Sequence, residues 1–172
     1  MSRIEPLVRV PVGIIVERRR ATTAWAEFVW RPSAVLPGVP DTPPWTMLET
    51  EADRTAFYVG VVEILLYRTD SAGYRDNLCD DAPLLWVALQ PTGDAGRPYE
   101  ISAATADPGE GEAYSENAGN LVEALPMPDA IRNIVARFVA EHHVDRPFFK
   151  RQRDRANLEA MAAPVRIAHG KS

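Results

Sequence analysis

The sequence predicts an α+β fold: a single domain with a mostly antiparallel sheet of about five to seven strands and a packed C-terminal helix. Several short segments before residue 106 alternate apolar and polar residues with period two, which is typical of half-buried strands. Residues 129–144 instead repeat apolar residues at helical spacing. The 15 prolines argue against a helical bundle. We expect the domain to span residues 1–145, followed by a basic, largely flexible tail at 146–172.

The first two strands are predicted at 7–19 and 24–32, joined by a hairpin loop. Alternate residues of "LVRVPVGIIVERR" place five β-branched side chains on one face: Val8, Val10, Val12, Ile14 and Val16. Pro11 has no N–H to donate, which predicts an edge strand or a strand with a bulge. In "AWAEFVWRP", Phe28 and Trp30 share one face, and Trp25 lies on the other.

Residues 31–48 contain five prolines and are predicted to form a loop that packs on the domain. The apolar run 55–68 follows. Its β-branched and aromatic content favours a strand, although Phe57, Val61 and Ile64 also fit a helical stripe. Residues 69–83 are predicted to be a loop that could include one helical turn.

Further strands are predicted at 84–91, buried on both faces, at 99–105 and at 120–126. A short helix is predicted to begin near residue 107, with Asp107 as its cap and Pro108 in its first turn. The clearest element is the helix at 129–144. Its apolar stripe consists of Ile131, Ile134, Val135, Phe138, Val139 and His142.

Charge is unevenly distributed along the chain. Residues 1–145 hold 12 cations and 22 anions, whereas residues 146–172 hold 7 cations and 2 anions. The tail begins with a Phe pair among cations. In one interpretation the pair folds back on the acidic domain; in the other it forms a partner-binding arm, whose candidate residues are Phe148, Phe149, Lys150, Arg151, Arg153 and Arg155. Nucleic acid is an unlikely partner, because so acidic a domain would repel phosphates.

No familiar catalytic or metal-binding signature is found. Cys79 stands beside two aspartates, which raise a thiol pKa and make a poor nucleophile. His142 and His143 are neighbours that point about 100° apart on a helix, so they cannot chelate one ion together. The acidic segment "EGEAYSE" lacks calcium-loop spacing, and no phosphate loop occurs. We therefore predict no catalytic residues, no metal and no bound cofactor.

Arg18, Arg19 and Arg20 lie near Trp25 and Trp30 at the predicted hairpin. Arginine and tryptophan together can hold an anion or stack on a planar ligand, so these five residues are the candidate cofactor-binding set. The alternative is a solvated strand end.

Several stretches resemble an uncharacterised bacterial domain family: "PVGIIVERR", "WAEFVWRPSAVLPG", "PWTML" and "ALPMPDAIRNIVARFVAEHHVDRPFFKRQRDR". Members of that family are often encoded beside molybdenum-dependent formate dehydrogenase subunits, and some are labelled as molybdopterin-guanine dinucleotide biosynthesis proteins. The resemblance implies an accessory or assembly role and supplies no catalytic residues. Nucleotidyl transfer does not fit, because "RVPVGIIVERRRATTAW" lacks a glycine-rich nucleotide loop.

We therefore expect a non-enzymatic accessory protein that assists assembly or cofactor maturation of such a dehydrogenase. A small-ligand module for an anionic cofactor is the alternative, and an enzyme with an unrecognised site is a third hypothesis. The single cysteine, the lack of a signal-peptide pattern and the lack of a long apolar run predict a cytoplasmic protein without a membrane span.

Overall fold

The computed structural model describes residues 5–144, which form seven strands in two antiparallel sheets together with three α-helices. The strands are β1 (Val8–Arg20), β2 (Phe28–Pro37), β3 (Thr46–Glu51), β4 (Arg54–Leu66), β5 (Leu84–Pro91), β6 (Tyr99–Thr105) and β7 (Leu121–Pro126). The helices are α1 (Ser71–Leu78), α2 (Pro108–Tyr114) and α3 (Asp129–His142). Strand order is β2-β1-β4-β3 in one sheet and β6-β5-β7 in the other. The predicted α+β class with a C-terminal helix is confirmed, and the predicted tail lies outside the described residues.

Strand β1 lies inside the four-stranded sheet and carries its apolar face. Val12, Ile14 and Val16 are fully buried, as their spacing predicts. Pro11 is tolerated because β4 pairs with β1 from Val8 onward, whereas the pairing with β2 begins only at Val12. Pro11 therefore has a strand neighbour on one side only, and the two bulges of β1 fall farther along, around Ile15.

The predicted loop at 31–48 is wrong at both of its ends. β2 continues to Pro37, and β3 begins at Thr46, so the connection between them is limited to residues 38–45. β2 is an edge strand of its sheet and has a neighbouring strand on one side only. A proline such as Pro32, which lacks an N–H, is tolerated in an edge strand because no strand on the outer side needs that donor. The register shift opposite Ile15 also falls beside Pro32, where a bulge accommodates it.

Residues 69–83 contain more helix than predicted. A 3₁₀ turn at Arg68–Asp70 leads into α1, whose buried Asn77 side chain organises the connection to β5. The Asn77 amide donates to Leu84 O (2.8 Å) and Ala106 O (2.9 Å), and its oxygen accepts from Leu84 N (3.0 Å). The apolar run at 55–68 is confirmed as a strand, β4.

One core lies between the sheets and beneath α3. The helix contributes Ile131, Val135 and Phe138, and the Phe138 ring meets Tyr74 of α1 edge-on at 5.8 Å. Ile134, predicted on the same stripe, is 38% exposed and lies at its border. Among residues 5–144, no helix is long and apolar enough to cross a bilayer.

Candidate functional site

The candidate site lies at the end of the four-stranded sheet where the β1–β2 loop (residues 21–27) and the β3–β4 turn meet. The N–H of Arg20 donates to Asp53 O at 3.1 Å and joins the two connections. Arg18, Arg19 and Arg20 end β1 here. Because successive side chains of a strand point to opposite faces, Arg18 lies on the inner face with Val16, and Arg19 lies on the outer face.

On the inner face, the guanidinium of Arg18 lies against three aromatic rings. Its Cζ is 4.2 Å from the centroid of Phe28, 5.3 Å from that of Phe57 and 5.6 Å from that of Trp30. These distances fall within the range of cation–π attraction. Arg18 itself is half-buried.

The rings around Arg18 belong to a larger group, which we call the aromatic cluster: Phe28, Trp30, Trp45, Phe57 and Tyr99. Trp30 is its centre, with ring centroids 5.7 Å from Phe57, 5.9 Å from Trp45 and 6.4 Å from Tyr99. The five rings come from β2, the 38–45 connection, β4 and β6, and all five are half-buried. The cluster is therefore a partly open extension of the core.

Arg18 has no anionic partner in the part of the chain that the structure describes: no carboxylate of residues 5–144 forms an ion pair with it. Within these residues, the side-chain contacts of its guanidinium are with the rings of Phe28, Trp30 and Phe57. The outward edge of a guanidinium stacked on a ring keeps N–H donors that can bind a carboxylate or phosphate.

The outer face holds a different arrangement, centred on Glu17, whose side chain is only 6% exposed. Arg19 Nε donates to Glu17 Oε1, Arg31 Nη2 lies 3.7 Å from the same oxygen, and Arg54 Nη1 lies 3.5 Å from Oε2. Arg54 also pairs with Glu51 at 3.6 Å. We call this group the Glu17 network. The buried carboxylate is satisfied by the arginines that cover it.

An open depression of about 270 Å³ adjoins the Glu17 network. It is lined by Arg19, Glu51, Ala52, Asp53 and Arg54. Both of its arginines pair with Glu17, and Arg54 also pairs with Glu51, so the cations of its lining are engaged within the protein.

The five residues of the predicted ligand set therefore take different places. Arg18 and Trp30 come together, whereas Arg19 lies on the opposite face with Glu17. Arg20 is exposed, and Trp25 is 95% exposed in the β1–β2 loop. The predicted partner-binding residues of the tail lie outside the described residues.

Sequence reasoning missed Trp45, Phe57 and Tyr99 as neighbours of Trp30. Trp45 has a φ of 65°, which is uncommon for a residue other than glycine, and its indole contacts Trp30 edge-on. Tyr99 arrives from the other sheet. No local pattern brings these residues together, although the shared face of Phe28 and Trp30 was visible in the sequence.

A second polar group lies where α3 ends, at His143. Arg75 Nη1 is 3.1 Å from His143 Nε2, and Ser71 Oγ is 3.1 Å from Nδ1. A guanidinium can only donate, so Nε2 accepts, and Nδ1 carries the proton that it donates to Ser71. A serine nucleophile needs the opposite direction of donation. The group therefore links α3 to α1 and does not form a Ser–His catalytic pair.

A third group gathers carboxylates around α2. Asp107 caps the helix by accepting from Gly109 N at 3.2 Å, and Glu110 accepts from Thr105 (2.8 Å) and Tyr114 (3.1 Å). Burial raises the pKa of Asp70, and the charges of Asp107 and Glu110 raise it further. Within residues 5–144, no group of His, Cys, Asp or Glu has metal-binding geometry.

The fold and the site define the class: an α+β domain with a partly open aromatic cluster and one arginine stacked against three of its rings. The chain belongs to the family described as protein of unknown function (DUF3305), whose model matches residues 11–153. No curated protein and no solved structure gives a significant match.

Proposed function

We propose that this chain is a non-enzymatic accessory protein that binds a protein partner. The observation that supports this most is Trp25, which is 95% exposed in the β1–β2 loop. Val29, at the start of β2, is 55% exposed. A tryptophan is the residue most often found as an energetic anchor of protein interfaces, because its burial removes a large apolar area from water. The β1–β2 hairpin therefore offers an anchor that residues 5–144 leave exposed.

The proposed partner is a molybdenum-dependent formate dehydrogenase or its maturation machinery. This part of the proposal is supported by the resemblance of the sequence to a family encoded beside such enzymes. The tail sequence offers a second anchor, with apolar and cationic side chains together: Phe148, Phe149, Lys150, Arg151, Arg153 and Arg155. We place the protein in the cytoplasm, with no role at a membrane or on nucleic acid.

Co-purification tests the proposal. The tagged protein is recovered from cells that express the dehydrogenase, and mass spectrometry identifies what accompanies it. We expect dehydrogenase subunits or maturation proteins with the unmodified chain and a large loss with Trp25→Ala or with truncation after Asp145. Val61→Ala, a change at an exposed apolar residue of β4, is the control and should keep the partner. If neither dehydrogenase subunits nor maturation proteins co-purify with the unmodified chain, the proposed partner is wrong.

A second candidate function is a small-ligand module for an anionic cofactor. Arg18 favours it, because a half-buried guanidinium stacked on Phe28, Phe57 and Trp30 offers donors beside flat rings. Titration of tryptophan fluorescence with molybdopterin species tests it. The two functions are separable, since Trp25 carries the first and Arg18 carries the second.

A further inference from the structure

We infer that Arg18 and the aromatic cluster form a binding site for a planar aromatic ring that carries an anionic group, either a carboxylate or a phosphate. The inference rests on the second candidate function and gives its ligand a chemical class. It is independent of the protein partner proposed for the β1–β2 hairpin.

The anionic half of the ligand follows from a contrast between neighbouring arginines. Arg19, Arg31 and Arg54 all reach the single buried carboxylate of Glu17. Arg18 lies on the other face of the same strand and has no carboxylate among residues 5–144. Half-burial strips part of its hydration, so an anion bound there gains more than it would at an exposed arginine.

The aromatic half follows from the exposure of the rings. The buried core is made mainly of aliphatic residues, whereas the five rings of the aromatic cluster are all half-buried. Each of these rings therefore keeps part of its surface accessible, and three of them, Phe28, Trp30 and Phe57, contact the guanidinium of Arg18. A flat group can stack on such rings, and an attached anion can meet the donor edge of Arg18 at the same time.

The alternative is that stacking on Phe28 and Trp30 is all that Arg18 needs. Cation–π attraction alone would then hold the side chain, and added anions would bind no better here than elsewhere. The two explanations differ in one measurable respect. Only a binding site distinguishes a charged aromatic compound from a neutral aromatic compound and from an anion without a ring.

The protein contains four tryptophans, and their indole N–H signals in a ¹⁵N–¹H correlation spectrum report on separate places. Trp30 and Trp45 belong to the aromatic cluster, Trp25 is in the exposed loop, and Trp86 lies against α2. The probes are phenylacetate and phenyl phosphate, with neutral phenylacetamide and ring-free inorganic phosphate as controls. We expect the two ring anions to shift Trp30 and Trp45 saturably, at Kd values on the order of 1 mM. Trp25 and Trp86 should not move.

Variants complete the test. Arg18→Gln should weaken binding of both ring anions by about tenfold or more, because it removes the charge-assisted bonds. Arg9→Gln, a change on the same strand at an exposed arginine paired with Glu63, should leave binding unchanged. If Arg18→Gln does not fold, the comparison of phenylacetate with phenylacetamide on the unmodified protein decides.

Equal shifts from phenylacetamide, equal shifts from inorganic phosphate, or unchanged binding by folded Arg18→Gln would each overturn the inference. A stronger response to phenyl phosphate than to phenylacetate would assign the anion as a phosphate, and the reverse as a carboxylate. If molybdopterin species bind without shifting Trp30 and Trp45, and both ring anions fail, the second candidate function stands and this site is wrong. If neither binds, both are wrong. None of these ligand results bears on the protein partner, which the co-purification with Trp25→Ala tests separately.

Discussion

Gly111 of α2 lies directly against the indole of Trp86 on β5. A Cβ atom at position 111 would come well inside 3.0 Å of three Trp86 ring atoms, so this approach of helix to sheet requires glycine. α2 spans only residues 108–114, and a helix this short is not stable by itself. Its position therefore depends on the contact with Trp86 and on the Asp107 cap.

Gly111→Ala should destabilise the protein by about 1–3 kcal/mol, because the added methyl group forces α2 away from the sheet. Denaturant unfolding measures the loss. Gly109→Ala in the same helix is the matched control, since its Cβ would meet Asp107 only at an ordinary 3.7 Å. That change should be neutral or slightly stabilising, because alanine favours helix. Equal losses at both positions would mean that the Trp86 contact does not position α2.

Phe138→Ala should cost about 3–5 kcal/mol, the usual range for a buried phenylalanine. Phe138 is 3% exposed and contacts Tyr74 edge-on, so its removal leaves a cavity between α3 and α1. Thermal or denaturant unfolding gives the value. Ile134→Ala, on the 38% exposed border of the same helix, should cost about 1 kcal/mol or less. An unchanged melting curve for Phe138→Ala would contradict the packing of α3.

The sequence predicted the elements that depend on residues close together in the chain better than the features that depend on contacts between distant residues. α3 was predicted from its helical period, and β4 and β5 from their local apolar composition, because burial selects residues along each element. The division of the strands into two sheets was not predicted, because strand pairing joins residues that are far apart in the chain. β2 shows the same limit: its first half was predicted as a strand, but the prolines of its second half suggested a loop. Its place at the edge of the sheet lets them stay in a strand. α1 was underestimated because its side-chain anchor, Asn77, bonds to β5 and to Ala106.

The candidate site was predicted in part for the same reason. Arg18 and Trp30 were singled out, and strand pairing sets them side by side. The separation of Arg18 from Arg19 follows from strand alternation and could have been predicted. The arrival of Tyr99 from β6 could not, because it depends on how the two sheets pack.

Glu17→Gln should destabilise the protein by about 1.5–3 kcal/mol, the range for losing hydrogen bonds to a buried charged group. The amide cannot balance Arg19, Arg31 and Arg54, which then repel one another on the outer face. Denaturant unfolding at two salt concentrations checks this, and added salt should reduce the loss by screening the arginines.

The matched control for Glu17→Gln is Glu63→Gln. Glu63 pairs with Arg9 at 3.1 Å, but both side chains are more than half exposed, so the change should stay within about 0.5 kcal/mol. If the two substitutions lower the free energy of unfolding equally, the ion pairs of buried Glu17 are no stronger than the exposed pair of Glu63.

Asp70→Asn should stabilise the protein at neutral pH, and this advantage should shrink as the pH falls toward 3.8, the ordinary pKa of the group. Burial, followed by the charges of Asp107 and Glu110, raises the pKa of Asp70 in the folded state. The contribution of such a group to stability is fully present below its unfolded pKa and is lost as the pH rises through the folded pKa. Asparagine has no charge to lose, so the variant avoids that loss. Denaturant unfolding across this pH range measures it, with the exposed Asp81→Asn as a control for the removal of one surface charge. A variant that is less stable than the unmodified protein at neutral pH would show that the Asp70 carboxylate is favourably placed.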